Sequence, residues 1–352
     1  MRVHQLLSAA GPFDAVTQQA VTFNELFASW GIAGDIYASA IAPRLPEPVH
    51  ALHRLDPGPD DLLLIHYSAY AARLEPLLEL PNRKLLVYHN VTPARYLWSF
   101  QPHVAALCEI GRDHLPRYAQ AVDIAVAVSE YNARELREAG ARDVRVVPIL
   151  FDPDRFGQPE PREDPERPLI VNVGRLAPHK RHDLVVRAFA LFQRELAPDA
   201  RLVCAGEPIS RRYREQLTEL VAALGARNVE MPGPLDQERL TALYREAAAA
   251  LYLSEHEGFC IPLIEAFHFA IPVVARPVGG MPEVAGDAAL WTDETPDVGM
   301  VAELLALPVR DAELRETLTA RGRARLDEFS PERTKAKLRA VIEACGEAAR
   351  SR

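Results

Sequence analysis

Short, nearly continuous apolar runs alternate along this chain with longer stretches in which apolar positions recur about every three to four residues, the spacing of one helix face. In the first half the runs are DLLLIHY (61–67), KLLVYHN (84–90), DIAVAVS (123–129) and VRVVPIL (144–150), each bounded by turn residues. NARELREAG (132–140) between the last two has helical spacing and ends in a glycine suited to a C-cap. The same grammar returns in PLIVNVG (168–174), ARLVCAG (200–206), AAALYLS (248–254) and AIPVVAR (270–276), with helices such as DLVVRAFALFQREL (183–196) between them. Strands without polar alternation are buried on both faces, so the pattern predicts parallel sheets flanked by helices. DPDRFGQPEPREDPERP (152–168) replaces this periodicity with prolines and charges and reads as a linker. The expected architecture is therefore α/β, with two Rossmann-like, doubly wound domains over 1–155 and 156–330. Open α/β sheets bind ligands outside the carboxyl ends of their strands, and two such domains predict a cleft between them. The tail 331–352 begins with a proline suited to a first helical turn and is expected as a charged helix packing across the domain boundary.

Composition narrows the function classes. A chain of 352 residues fits two domains of roughly 100–200 residues each, and 48% hydrophobic with 25% charged residues is a globular balance. The net charge of -9 gives no electrostatic footprint for nucleic acid. Cys108, Cys204, Cys260 and Cys345 have no metal-like spacing and form no disulfide framework, so they are expected as reduced thiols in a cytoplasmic protein. MRVHQLLSAAGPFDAV, with its short apolar stretch interrupted by His4 and Gln5, is expected to be neither a secretory signal nor a spanning helix, and no apolar run approaches the roughly 20 residues of a bilayer span, so any membrane contact is expected to be peripheral. SRRYREQ (210–216) reads as a solvated helix face, with an acidic lipid surface as the alternative. Nothing in the pattern fixes an oligomeric state.

Two segments carry candidate chemistry. VNVGRLAPHKRHDLVVRAF (171–189) runs from an apolar strand through Gly174 and Arg175 to Lys180, just ahead of a helix. A cation there opposes the macrodipole unless an anion completes the arrangement, as a diphosphate would. A solvated basic loop is the competing reading. LSEHEGFCIPLIEAFHFAIPVVA (253–275) repeats the strand, loop, helix layout, with Glu257 in the loop and Glu265 in the first turns of the helix. Gly258 permits close backbone approach and Pro262 suits the first helical turn. The two carboxylates either accept hydrogen bonds from sugar and ribose hydroxyls or merely offset the helix dipole.

Taken together, VGRLAPHK (173–180) and the E-x7-E element from Glu257 to Glu265 resemble the GT-B retaining glycosyltransferases of glycosyltransferase family 4, also called glycosyl transferases group 1. PVVARPVGGMPEVAGDAALWTD (272–293) resembles the family's next strand and glycine turn, while YHNVTPARYL (88–97) and GPFDAVTQQA (11–20) are similar to its bacterial branch. The resemblance implies a GT-B fold whose first domain binds the acceptor and whose second binds a nucleotide-sugar donor. It implies that Arg175 and Lys180 bind the donor diphosphate and neutralise the leaving group. Glu265 would hold the ribose, and Glu257 with the backbone N–H groups of Gly258, Phe259 and Cys260 would hold hexose hydroxyls and phosphate, with Gly174 and Ile261 lining the same donor site.

His89 matches the family's N-domain histidine that reaches the transferred sugar; a histidine satisfied locally at the end of a strand is the alternative. Gly11 corresponds to the glycine-rich loop after the first strand, although one glycine stands where many relatives have two. Asp14 either meets an acceptor hydroxyl or caps a helix, the cap being preferred. Cys260 occupies a position that is glycine in many relatives.

No DxD-like carboxylate pair or metal-ligand cluster is evident, so no cofactor or essential metal is expected, and cationic side chains take a metal's place at the diphosphate. The resemblance further implies retention of anomeric configuration, a saccharide or lipid-linked acceptor, and an inclination toward GDP-mannose. A nucleotide-sugar epimerase, a phosphorylase or a non-catalytic sugar-binding protein would share the architecture.

Overall fold

The computed structural model describes residues 1–12, 14–43, 45, 48–158 and 167–347. The chain divides into two compact units, the first holding residues 1–98, 102–150 and the chain from Glu332 onward, the second residues 99–101 and 151–331.

In the first unit the described strands are β1 (Val3–Leu7), β2 (Ile36–Ala38), β3 (Val49–Ala51), β4 (Leu62–Tyr67), β5 (Arg83–Tyr88), β6 (Ile124–Ala127) and β7 (Val144–Val146). They pair in parallel in the order β3-β2-β1-β4-β5-β6-β7. Helices α1 (Ala15–Ser29), α2 (Pro102–Ala121) and α3 (Glu130–Glu138) connect them. β1 and β4 are buried at every position, as their lack of polar alternation requires. Leu7 lies opposite His66, and Tyr67 opposite Tyr88, so β1, β4 and β5 end nearly level.

The C-terminal helix Pro331–Glu347 belongs to this unit. Leu338, Val341, Ile342 and Cys345 recur on one helical face and enter the core with Val3, Phe27, Leu64, Val87 and Val126.

The second unit contains β8 (Leu169–Val173), β9 (Arg201–Ala205), β10 (Val229–Gly233), β11 (Ala247–Tyr252), β12 (Val273–Ala275) and β13 (Ala289–Trp291). Its helices are α4 (His182–Glu195), α5 (Arg211–Ala223), α6 (Gln237–Glu246), α7 (Ile261–His268), α8 (Met281–Ala285), α9 (Val298–Arg310) and α10 (Ala312–Glu328). The parallel order β10-β9-β8-β11-β12-β13 reverses direction between β8 and β11. One core cluster joins Phe189 and Phe192 of α4 and Val301 and Leu305 of α9 to Ile170, Leu202, Leu251 and Val274 of the sheet.

The stretch expected as a linker behaves differently along its length. Residues 159–166 lie outside the described residues. Ahead of them, Asp152 caps a short turn, Pro153–Arg155, and Phe156 is buried against Phe151, Tyr244 and Phe269. His268 donates from Nε2 to the Gly157 carbonyl at 2.9 Å. One buried aromatic is enough to anchor this polar run to the second unit. No described helix is long and apolar enough to cross a membrane.

Candidate functional site

The reversal of strand order in the second unit leaves a crevice outside the carboxyl ends of β8 and β11, and the two segments with candidate chemistry are the loops that leave those ends. After β8 come Gly174, the exposed Arg175, and a single turn Pro178–Lys180. Arg181 then adopts a left-handed conformation (φ 55°) at the start of α4. After β11 come Ser254, Glu255 and Glu257, then Cys260, also left-handed (φ 72°), at the start of α7. The Glu255 N–H donates to the His179 carbonyl at 2.7 Å and ties the loops together. Arg181 adds an ion pair to Glu255 at 2.5 Å while holding Asp183 with two nitrogens at 2.9 Å, and Arg276 approaches Glu255 at 3.3 Å.

At the centre, Lys180 Nζ lies 2.5 Å from Glu257 Oε1, which also accepts from Ser254 Oγ at 2.7 Å. Glu257 is 8% exposed, so the cation that partners it is what makes its burial tolerable. Burial alone would lower the Lys180 pKa, but the facing Glu257 carboxylate outweighs it and raises the value. His179 is held well below the ordinary histidine range, first by burial and then by the neighbouring Lys180 charge. Burial brings His182 down to about 4. Burial also lifts the Cys260 thiol well above its usual range, with Glu257 adding to the effect, so this sulfur stays protonated and is no nucleophile. Arg175 makes no hydrogen bond or ion pair with a described residue.

Glu265 accepts from the Tyr244 hydroxyl at 2.5 Å. Burial raises its pKa, while that hydrogen bond and the positive charge of Arg155 act in the opposite sense. The backbone of Glu257 is fixed from beneath by the turn before α8. The Gly280 N–H donates to the Glu257 carbonyl at 3.0 Å, and a Cβ at Gly279 (φ 59°) would lie 2.0 Å from that oxygen. Gly206 makes the same close approach to the other loop, where a Cβ would lie 2.0 Å from the Gly174 carbonyl oxygen. Two glycines therefore let neighbouring strands' loops support the site from below.

Of the residues singled out from the sequence, Gly174, Arg175, Lys180, Glu257, Gly258, Phe259, Cys260, Ile261 and Glu265 all lie on the loops or first helical turns at this crevice. Phe259 is buried against Phe329, so its backbone rather than its ring is available. Ser254, Tyr244 and Arg155 escaped the sequence reading: each is a common residue in an unremarkable context, and only the fold brings it to a carboxylate.

The first unit holds the remaining three. Asp14 caps α1, accepting from the Thr17 N–H at 2.9 Å and the Thr17 hydroxyl at 2.8 Å, and the Gly11 N–H donates to that hydroxyl at 3.1 Å. The Gly11 loop is thereby stapled to the start of α1. His89, partly exposed, follows β5, and its Nε2 lies 2.8 Å from Nδ1 of the buried His66. His66 Nε2 in turn lies 2.9 Å from Gln5 Oε1. Burial brings His89 down to about 3. Among the described residues no group of three or more His, Cys, Asp or Glu side chains is placed to hold a metal ion.

Residues 155–325 match the sequence profile of the family described as glycosyl transferases group 1. The O-antigen chain mannosyltransferase B of Escherichia coli is 31% identical over 160 residues, 45% of this chain and 41% of that protein. The GDP-mannose-dependent alpha-(1-6)-phosphatidylinositol monomannoside mannosyltransferase of Mycolicibacterium smegmatis is 29% identical over 303 residues, 76% of this chain and 74% of that one. This chain thus spans less than half the length of the first of these relatives. Among solved structures, sucrose-phosphate synthase from Thermosynechococcus elongatus superposes with a TM-score of 0.80 at 18% identity, covering 99% of this chain and 100% of the other. With two Rossmann-like parallel-sheet units and a family match that contains all the charged residues at the second unit's crevice, the chain has the GT-B fold, and its residues 155–325 carry the likeness to the glycosyl transferases group 1.

Proposed function

We propose that this protein is a retaining hexosyltransferase of the cytoplasm that moves a hexose, mannose in the first instance, from a nucleoside-diphosphate sugar to a saccharide or lipid-linked saccharide. The observation that carries the reading is the buried Lys180–Glu257 pair beside the exposed Arg175, at the strand-order reversal of the second unit. A diphosphate placed there meets one cation held in a fixed position and a second with no hydrogen-bond or ion-pair partner among the described residues. It also meets the N–H groups of the first turn of α7, whose dipole favours negative charge.

As the bond from sugar to phosphate breaks, charge grows on the leaving diphosphate. Cations already oriented by the protein stabilise it without reorganising. The reading therefore needs no divalent ion at the diphosphate. Glu257, with one oxygen engaged by Lys180 and Ser254, keeps its other oxygen for a hexose hydroxyl. Glu265, oriented by Tyr244, accepts from ribose hydroxyls. The choice of mannose is supported by the names of the two relatives, both mannosyltransferases.

The test is a thermal-shift and binding panel of UDP, GDP, ADP, dTDP and CMP, with and without Mg²⁺, on the native protein, Lys180→Met and Glu265→Gln. Selective stabilisation by GDP without metal, lost in Lys180→Met and weakened in Glu265→Gln, is the expected outcome. Stabilisation by no nucleotide, or only with Mg²⁺, would sink the reading. Loss of donor without any acceptor product would instead favour an epimerase.

A further inference from the structure

The first unit contains a hydrogen-bonded chain of three side chains whose polarity can be read from its buried end. Gln5, on β1, donates from Nε2 to the Ala20 carbonyl of α1 at 2.8 Å. A carbonyl only accepts, so the amide cannot be turned over, and Gln5 Oε1 must face His66 Nε2 at 2.9 Å. His66 Nε2 therefore carries the proton. His66 is fully buried, with Phe23 beside its ring, and a second proton on it would place an uncompensated charge in the core. Its Nδ1 is then a bare acceptor, and the only proton that can fill the 2.8 Å contact comes from His89 Nε2. The two rings have centroids 5.1 Å apart and planes inclined by only 18°, an edge-to-edge arrangement in nearly one plane that suits an N–H···N bond.

We propose that Gln5 and His66 are positioning residues that lock His89 as the neutral Nε2–H tautomer, so that its remaining nitrogen, Nδ1, is presented outward as a fixed hydrogen-bond acceptor for a ligand hydroxyl. His89 Nδ1 makes no hydrogen bond with a described residue, and the ring is partly exposed. A lone pair there attracts O–H donors, such as sugar hydroxyls, and repels phosphate and carboxylate oxygens. The identity of that hydroxyl as one on a hexose rests on the transferase reading; the tautomer itself does not.

The experiment is long-range ¹H–¹⁵N correlation spectroscopy of the histidine rings in the full-length, ¹⁵N-histidine-labelled protein at neutral pH, with resonances assigned by His89→Gln. Expected are Nε2–H tautomers for both His66 and His89, unchanged when inorganic phosphate is added. Gln5→Leu, which removes the anchor, should convert His89 into a mixture of tautomers, and its melting curve shows whether it is folded. An Nδ1–H tautomer or a tautomeric mixture at His89 in the native protein overturns the proposal, as does protonation of His89 by phosphate. Because no nucleotide is present, failure here is distinct from failure of the transferase reading.

Discussion

Replacing Lys180 by methionine keeps an unbranched stem of similar reach and removes only the ammonium. Glu257, whose side chain is 9% exposed against 19% for Lys180, then remains buried with Ser254 as its single described side-chain donor. Removing one partner of a buried ion pair costs about 3–5 kcal/mol. The residual exposure of the pair and the Ser254 bond favour the lower end, about 3 kcal/mol. At about 2–4 °C per kcal/mol for a unit of this size, the second unit should melt roughly 6–12 °C lower.

Glu257→Gln alone should cost less, since the amide oxygen still accepts from Lys180 and Ser254. Lys180→Met combined with Glu257→Gln should be more stable than the sum of the single effects by at least about 1 kcal/mol, because the buried carboxylate is gone. Scanning calorimetry is the suitable assay, since the two compact units need not unfold in one transition and the loss belongs to the second. Effects that add within about 0.5 kcal/mol would refute the claim that the two charges depend on each other.

Three further outcomes follow from the geometry. Asp14→Ala removes the cap of α1 and should destabilise the first unit by about 1 kcal/mol, measured by urea unfolding, with Asp14→Asn recovering most of it. Gly279→Ala, which puts a methyl group 2.0 Å from the Glu257 carbonyl oxygen at a φ of 59°, should weaken nucleotide binding and lower the melting temperature together; an unchanged binding curve would mean that this backbone contact does not shape the site. His182 stays neutral in the fold down to about 4, below the 6.5 of an unfolded histidine, so the unfolded state binds the proton first. Stability should therefore fall as pH drops from 6.5 toward 4, by on the order of 3 kcal/mol from this residue, and His182→Gln should flatten that part of the pH–stability curve.

Much of the fold was legible because the buried strands of a parallel sheet are apolar on both faces. The runs at 61–67, 168–174 and 200–206 each contain a strand, and those at 84–90 and 248–254 overlap strands that begin one residue earlier. β2, β3 and β10 were not legible. β2 and β3 have three residues each, and β3 and β10 lie at sheet edges with half-exposed positions, so no periodicity accumulates. The polar run after Asp152 concealed Phe156, whose burial depends on Tyr244 and Phe269, far along the chain.

The second unit's charged residues were legible for a related reason. Each segment is a strand, a short loop and a helix start, so local sequence alone puts Lys180 before α4 and Glu257 before α7. That Lys180 and Glu257 meet is a property of strand order: β8 and β11 are neighbours although 73 residues lie between the end of one and the start of the other. The same holds for Tyr244 beneath Glu265 and for the Gln5, His66, His89 chain, assembled from β1, β4 and the end of β5. Sequence determines which residues can end a strand or begin a helix, because that chemistry is local. Which of them share a hydrogen bond, and so which nitrogen carries a proton and which carboxylate stays charged, is decided only when long-range pairing brings them within about 3 Å.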